Sequence, residues 1–166
     1  MDNTAQEKII NILREKFEGD ILQIENPYNF LTITVKKDKI VELIQYLYNH
    51  AETQFQYLTD LCGIHFPDQN QIAVSYQLHS LVNNYRIRIK IFLSADHPVT
   101  PTLIPVFAGA NWMERETYDF YGVIFEGHPN LKRILNVEDM IIFPLRKEYP
   151  LEDQVREDKK DYMFGR

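Results

Sequence analysis

The chain has 166 residues and a single cysteine, Cys62. One thiol cannot close an internal disulfide, and it falls short of the four thiolates that usually hold an iron–sulfur cluster. A reducing, cytosolic setting is expected, with Cys62 a small buried side chain in the apolar stretch 58–64. Glycine is scarce and scattered, six residues in all, and Gly109-Ala-Asn-Trp112 is neither a dinucleotide fingerprint nor a phosphate loop. The five histidines are His50, His65, His79, His97 and His128; no two are four apart and there is no Cys-x-x-Cys, so the usual zinc spacings are missing. There is no Gly-x-Ser-x-Gly, and Cys62 and His65, three apart on a strand, face opposite sides. No apolar run approaches the ~20 residues that span a bilayer. The polar opening Met-Asp-Asn-Thr4 is unlike a secretion signal. Basic residues are in deficit, 18 against 24 acids, for a net charge of −6. That balance excludes a general nucleic-acid binder, whose grip comes from neutralised phosphates, and direct docking onto anionic lipid.

Aromatic residues are plentiful, ten Tyr and ten Phe, and suit both cores and protein interfaces. Helical spacing of Ile9, Ile10, Leu13 and Phe17 predicts a helix over 4–18, capped by a Thr4/Glu7 box and stopped at Gly19. A second helix is expected over 38–50 behind an Asp38 cap. Strands are expected at 20–25 and 30–36, then at 55–64, 71–78 and 85–92. The strand at 55–64 is mostly apolar and reads as interior. In the last strand Tyr85, Ile87, Ile89 and Ile91 alternate with Arg86, Arg88 and Lys90, so one face is buried and the other is wet or meets something else. Short turns between successive strands imply a mostly antiparallel sheet, and the fold class is α+β, a two-layer domain over 1–143. A helical turn is expected at 100–105 and a helix over 110–121, ended by Gly122. Prolines 129, 144 and 150 then break regular structure, leaving an extended C-terminal arm over 144–166 whose charged end, 152–161, orders only on a partner.

The helix 110–121 carries the unusual chemistry. Glu114 and Glu116 lie about 200° apart around the axis, so they cannot share one proton-transfer site. Arg115 and Asp119 stand four apart and can pair. Trp112, Tyr118, Phe120 and Tyr121 put aromatics on nearly every side, which fits a helix packed between its own sheet and another protein better than a solvated one.

The stretch from Ala110 to Leu135, ANWMERETYDFYGVIFEGHPNLKRIL, resembles the signature of the 30-kDa, C-type subunit of bacterial proton-pumping NADH:quinone oxidoreductase, respiratory complex I. Residues 144–151, PLRKEYPL, resemble that family's second block, and weaker similarity runs through 54–92. Two departures stand out: His65 where the family usually has an acid, and Met140-Ile-Ile-Phe143 before the second block.

The resemblance implies a scaffold of the peripheral arm whose partners are complex I subunits D, B and I, with the large D-type subunit as its main contact. It would lie on the cytoplasmic side of the inner membrane, held there through its partners, with no catalytic residue, cofactor or metal of its own; FMN, iron–sulfur clusters and quinone belong to other subunits. Under it, Glu114, Arg115, Glu116 and Asp119 form a charge cluster that keeps helix and partner in register, and Trp112, Tyr118 and Tyr121 belong to the same surface. Gly122 and Gly127 allow tight turns, and His128 and Pro129 fix the loop into 131–135, ending at Leu135. Arg133, Arg146 and Lys147 reach carboxylates on a neighbour, and Pro144, Leu145, Tyr149 and Pro150 complete the second block. The alternative is the equivalent subunit of an energy-converting hydrogenase or a ferredoxin-dependent relative.

Overall fold

Alternation of branched residues along three ten-residue strands builds the centre of the protein. A computed structural model describes residues 3–150. The elements are α1 (Asn3–Phe17), β1 (Ile21–Glu25), β2 (Thr32–Val35), α2 (Ile40–Asn49), β3 (Tyr57–Phe66), β4 (Gln71–Ser80), β5 (Tyr85–Ser94), β6 (Val99–Pro101), α3 (Ala110–Tyr121) and β7 (Ile124–Glu126). β1 to β5 form one sheet in the order β1-β2-β5-β4-β3. The pairings β1–β2, β3–β4 and β4–β5 are antiparallel. Ile72, Val74, Tyr76 and Leu78 of β4 pair with Leu93, Ile91, Ile89 and Ile87 of β5. All eight are buried and join Ile9, Leu13 and Phe17 of α1 and Leu43, Ile44 and Leu47 of α2 in one core. Helices on one face of a largely antiparallel sheet give the two-layer α+β architecture that the pattern predicts.

Several local expectations are corrected. β2 pairs with β5 in parallel, Ile33 beside Ile89. α2 and the β3–β4 hairpin intervene between the two in sequence, so β2 and β5 are neighbours by crossover and not by a short turn. β3 sits at the sheet's edge, not in its interior. Its apolar face is buried because α3 lies across it: a Cβ on Gly63 would meet the Tyr121 ring at 2.5 Å.

Residues 99–101 form a strand, parallel to β7, so the helical turn expected at 100–105 comes later, with Val106 and Phe107 N–H donating to Leu103 O at 2.9 Å. α1 begins at Asn3, which places Thr4 inside the first turn and not at the cap. α1 then runs into a 3-10 turn, Glu18–Asp20, and Gly19 is not left-handed there. α2 likewise continues from a 3-10 turn, Lys37–Lys39, and Asp38 makes no capping bond. Gly122 is the true helix stop: its φ is 75° and its N–H donates to Tyr118 O at 2.8 Å. The expected arm is docked at its start, since Leu145 N–H donates to Phe120 O at 3.2 Å; its remainder, 151–166, lies outside the described residues.

Candidate functional site

α3 and the segment behind it form one constructed surface. α3 holds two buried carboxylates, Glu114 and Asp119, each with no exposed surface. Five residues apart on a helix, they point in different directions and bind different loops.

Glu114 faces the segment before the helix. It accepts a hydrogen bond from Thr102 Oγ1 and one from Leu103 N–H at 2.6 Å. These bonds favour its ionised form, but burial outweighs them and pushes its pKa up to about 7. The side chain is fully enclosed. Close by, Tyr76 Oη and Thr100 Oγ1 are buried.

Asp119 faces the segment after the helix. Its Oδ2 accepts from three successive backbone N–H groups, Ile134, Leu135 and Asn136, at 2.8–3.0 Å. Its Oδ1 accepts from Arg133 Nη1 at 2.8 Å and from Asn136 Nδ2 at 3.0 Å. Burial alone would raise its pKa; the backbone bonds from Asn136 and Leu135 and the Arg133 guanidinium overcome that and hold it well below the usual carboxylate range. The i, i+4 pairing of Arg115 with Asp119 expected from sequence is replaced by this one. Arg133 also donates from Nη2 to the carbonyls of Met140 and Ile142, at 2.7 and 2.9 Å, and its side chain is only 7% exposed. Both terminal nitrogens of its guanidinium thus bond within the chain.

Other signature residues reinforce this platform. His128 Nδ1 accepts from Asn130 N–H at 3.0 Å, which fixes the proton on Nε2, from where it reaches Asn111 O at 3.2 Å. That bridge clamps the loop to the first turn of α3. Gly127 takes φ 84° and Gly122 φ 75°; a Cβ on Gly122 would lie 2.6 Å from the Phe143 ring. The guanidinium carbons of Arg133 and Arg146 lie 5.0 and 5.1 Å from the Phe143 ring centroid. Arg146 Nε donates to Tyr121 O at 2.7 Å.

Lys147 N–H donates to His65 Nδ1 at 2.9 Å, so His65 anchors the segment 144–151 to the end of β3. The bond joins residues 82 apart in sequence, which is why sequence reading leaves it invisible. Pro144 is half-buried and Tyr149 N–H closes a turn onto Arg146 O, while Pro129 and Pro150 stand exposed.

Five large apolar side chains stand on the outside of the platform, among the exposed charges of Glu116, Lys132, Glu138, Asp139 and Lys147. Trp112 is 64% exposed, Leu135 64%, Val137 63%, Ile141 93% and Leu145 40%. Arg115 lies under Trp112, its guanidinium carbon 5.0 Å from the ring centroid, and donates from Nε to Lys132 O at 3.2 Å. Glu116 and Lys147 are exposed, and Tyr118 is half-buried with its ring edge-on to Phe143. Cys62 is half-buried, not buried; burial and nearby Asp60 push its pKa up to about 11, so it stays a thiol at neutral pH. Among the described residues, no group of three or more His, Cys, Asp or Glu side chains could hold a metal ion, and no helix is long and apolar enough to cross a membrane.

Comparison with known proteins extends this picture. The family model for the 30-kDa subunit of respiratory-chain NADH dehydrogenase matches residues 33–155. A C-type subunit (C 2) of the NADH-quinone oxidoreductase of Rhizobium etli is 39% identical over 140 residues, covering 84% of this chain and 74% of the relative. Its counterpart from Geotalea uraniireducens is 35% identical over 160 residues, 96% of each chain. Among solved structures, a trypsin-resistant fragment of Nqo5 superposes with a TM-score of 0.64 at 26% identity, over 76% of this chain and 99% of that one. A chain of the archaeal membrane-bound sulfane sulfur reductase shares the fold, with a TM-score of 0.76 at 20% identity over 95% and 98%.

Proposed function

The chain belongs to the family of the 30-kDa subunit of respiratory-chain NADH dehydrogenase, and from that premise we propose that it is a non-redox scaffold of the peripheral arm of a proton-translocating NADH:quinone oxidoreductase. It packs against the large D-type subunit, beside the B-type and I-type subunits, and steadies the quinone-reducing module. It is held to the cytoplasmic side of the membrane through those partners. FMN, iron–sulfur clusters and quinone sit on other subunits, and this chain supplies no catalytic residue.

One observation carries the reading: Glu114 and Asp119, the buried carboxylates of α3, are satisfied within the chain, while Trp112 and, on the loop behind it, Leu135, Val137 and Ile141 stand exposed among the charges of Glu116, Lys132, Glu138 and Asp139. Asp119 and Arg133 rigidify the loop 131–142, and that loop presents Leu135, Val137 and Ile141. A catalytic site is built the other way, with reactive polar groups accessible and apolar ones behind. Aromatic and aliphatic anchors on a preorganised frame are what a stable protein contact requires. Trp112, carried on the buried Arg115, forms the centre of the contact, with Glu116 and Lys147 at its polar rim.

The test is a gentle detergent pull-down from the native membrane with a tag at Met1, read by mass spectrometry. Recovery of subunits B, D and I with NADH-binding subunits supports the reading. Recovery of hydrogenase-type or ferredoxin-dependent partners in place of the NADH-binding subunits assigns the chain to a related machine. Recovery of the chain alone overturns the scaffold role. A Trp112→Asp variant, changed at an exposed position, should stay folded and lose the partners.

A further inference from the structure

The platform occupies the side of the protein that carries α3; the opposite face of the sheet is built differently. Pairing places Thr32 and Thr34 of β2 beside Arg88 and Lys90 of β5, and Gln77 and Ser75 of β4 on the other side of the same two residues. Arg86 stands next along, beside His79. Alternation sends all three cations outward while Ile87, Ile89 and Ile91 face the core. Residues two apart on a strand lie roughly 6.8 Å from each other, so the cations form a straight row over the middle of the sheet.

Two features mark this row. In a chain of net charge −6, Lys8, Lys16, Lys36 and Lys39 each hold a carboxylate, as do Arg133 and Arg146. Among the described residues no ion pair forms at Arg86, Arg88 or Lys90, nor at Arg14, Lys37, Arg115, Lys132 or Lys147; what sets the first three apart is that they stand side by side on one face of one strand. The row is also arranged in advance. The Arg88 guanidinium lies 4.9 Å from the Phe30 ring centroid and is half-buried. Thr32, Thr34 and Ser75, 1%, 5% and 2% exposed, form a closely covered floor. A guanidinium stacked on a ring keeps its edge free for two parallel hydrogen bonds to a carboxylate.

We propose that the outward face of β5 is a second docking surface, occupied by an acidic segment of another protein whose carboxylates lie on Arg88 and Lys90. An extended acidic segment with carboxylates at alternate residues repeats at the spacing of the row. Nucleic acid and anionic lipid fit less well. A net charge of −6 repels both, and Arg88 and Lys90 are half-buried on the sheet and do not project from it. The surface adds to the scaffold reading and is separate from the platform around Trp112.

The test uses the intact complex purified from the native membrane. A water-soluble carbodiimide joins an amine to a carboxylate that already touches it, and peptide mapping locates the link. Lys90 is expected to be coupled to an aspartate or glutamate of another chain. Its acylation by an amine reagent should be about tenfold slower in the complex than in the isolated full chain, a protection of ~1.4 kcal/mol. Lys90→Gln should abolish the link without changing the subunits recovered. Equal acylation of Lys90 in complex and isolated chain overturns the proposal, and leaves the platform reading intact if the partners are still present. Protection without any carboxylate link, released on exchange into lipid-free detergent, also overturns it and assigns the face to lipid.

Discussion

Two carboxylates on one helix are set to titrate in opposite directions. For Glu114 the folded pKa, about 7, lies above the unfolded value near 4.3. Between those values the folded chain keeps a proton that the unfolded chain has released. Stability therefore falls as pH rises through that window and stays lower above it, by about 3 kcal/mol at the upper end. For Asp119 the folded pKa is depressed. Its contribution is present above the unfolded carboxylate value and is lost only as acid is taken below it. Urea unfolding of the isolated chain should show a midpoint that drops from pH 5 to pH 8, and Glu114→Gln should flatten it, because the amide oxygen still accepts from Leu103 N–H. An unchanged wild-type midpoint across that range would remove Glu114 from the account. Asp119→Ala should be far worse than either. It strands the buried Arg133 guanidinium and three backbone donors, a loss of about 3–5 kcal/mol. Glu116→Ala, at an exposed position on the same helix, should move stability by no more than about 0.5 kcal/mol.

At the scale of elements, α3 is held on β3 by the missing side chain of Gly63. An alanine there would place its Cβ 2.5 Å from Tyr121 Cδ2, and overpacking of this kind costs about 1–3 kcal/mol. Gly63→Ala should lower the urea midpoint, and Tyr121→Leu in the same chain should recover part of the loss; additive losses would show that the two residues do not meet. The second block is fastened at His65. His65→Ala removes the acceptor of Lys147 N–H, so hydrogen exchange at residues 145–149 should speed up while β4 and β5 stay protected. Elements of this kind were legible in the sequence only where the cause is local. The periodicity of β4, β5 and α3 and the stop at Gly122 follow from neighbouring residues. The parallel pairing of β2 with β5 does not, since it depends on which strand is closest after α2 and the β3–β4 hairpin have folded. Trp112, Glu114, Arg115 and Asp119 were recognisable as unusual on their helix. Their partners were not, because Asp119 binds a loop 14–17 residues away and Glu114 a strand end 11–12 residues back. A charge on an aromatic helix reads equally as an interface ion or as an internal tie, and only the loops decide between them.

For the whole molecule, these ties explain how the segments on either side of α3 are held in place. The sheet and α1–α2 layer hold the core, α3 sits over one edge, and its two buried carboxylates pin the segments that lead into and out of it. That rigidity lowers what partner binding must lose in ordering the loop, which is where preorganised surfaces gain affinity. Trp112 makes the idea measurable, because it is the only tryptophan in the chain and stands 64% exposed over Arg115. In the isolated chain its emission should be that of a solvated indole and should be quenched readily by acrylamide. Addition of the purified large D-type subunit should shift the emission to the blue and reduce quenching, as burial in an interface would. Arg115 is itself buried under Trp112 and tied to Lys132 O, so Arg115→Ala should destabilise the free chain by about 1–3 kcal/mol, lowering its unfolding midpoint, and weaken the association by removing the support beneath Trp112. A midpoint unchanged by Arg115→Ala would show that the guanidinium is no strut between Trp112 and Lys132 O. If Trp112 emission is unmoved by a large subunit that demonstrably binds, the contact lies elsewhere on the molecule, and the apolar residues of the loop 135–145 must be tested one by one in its place.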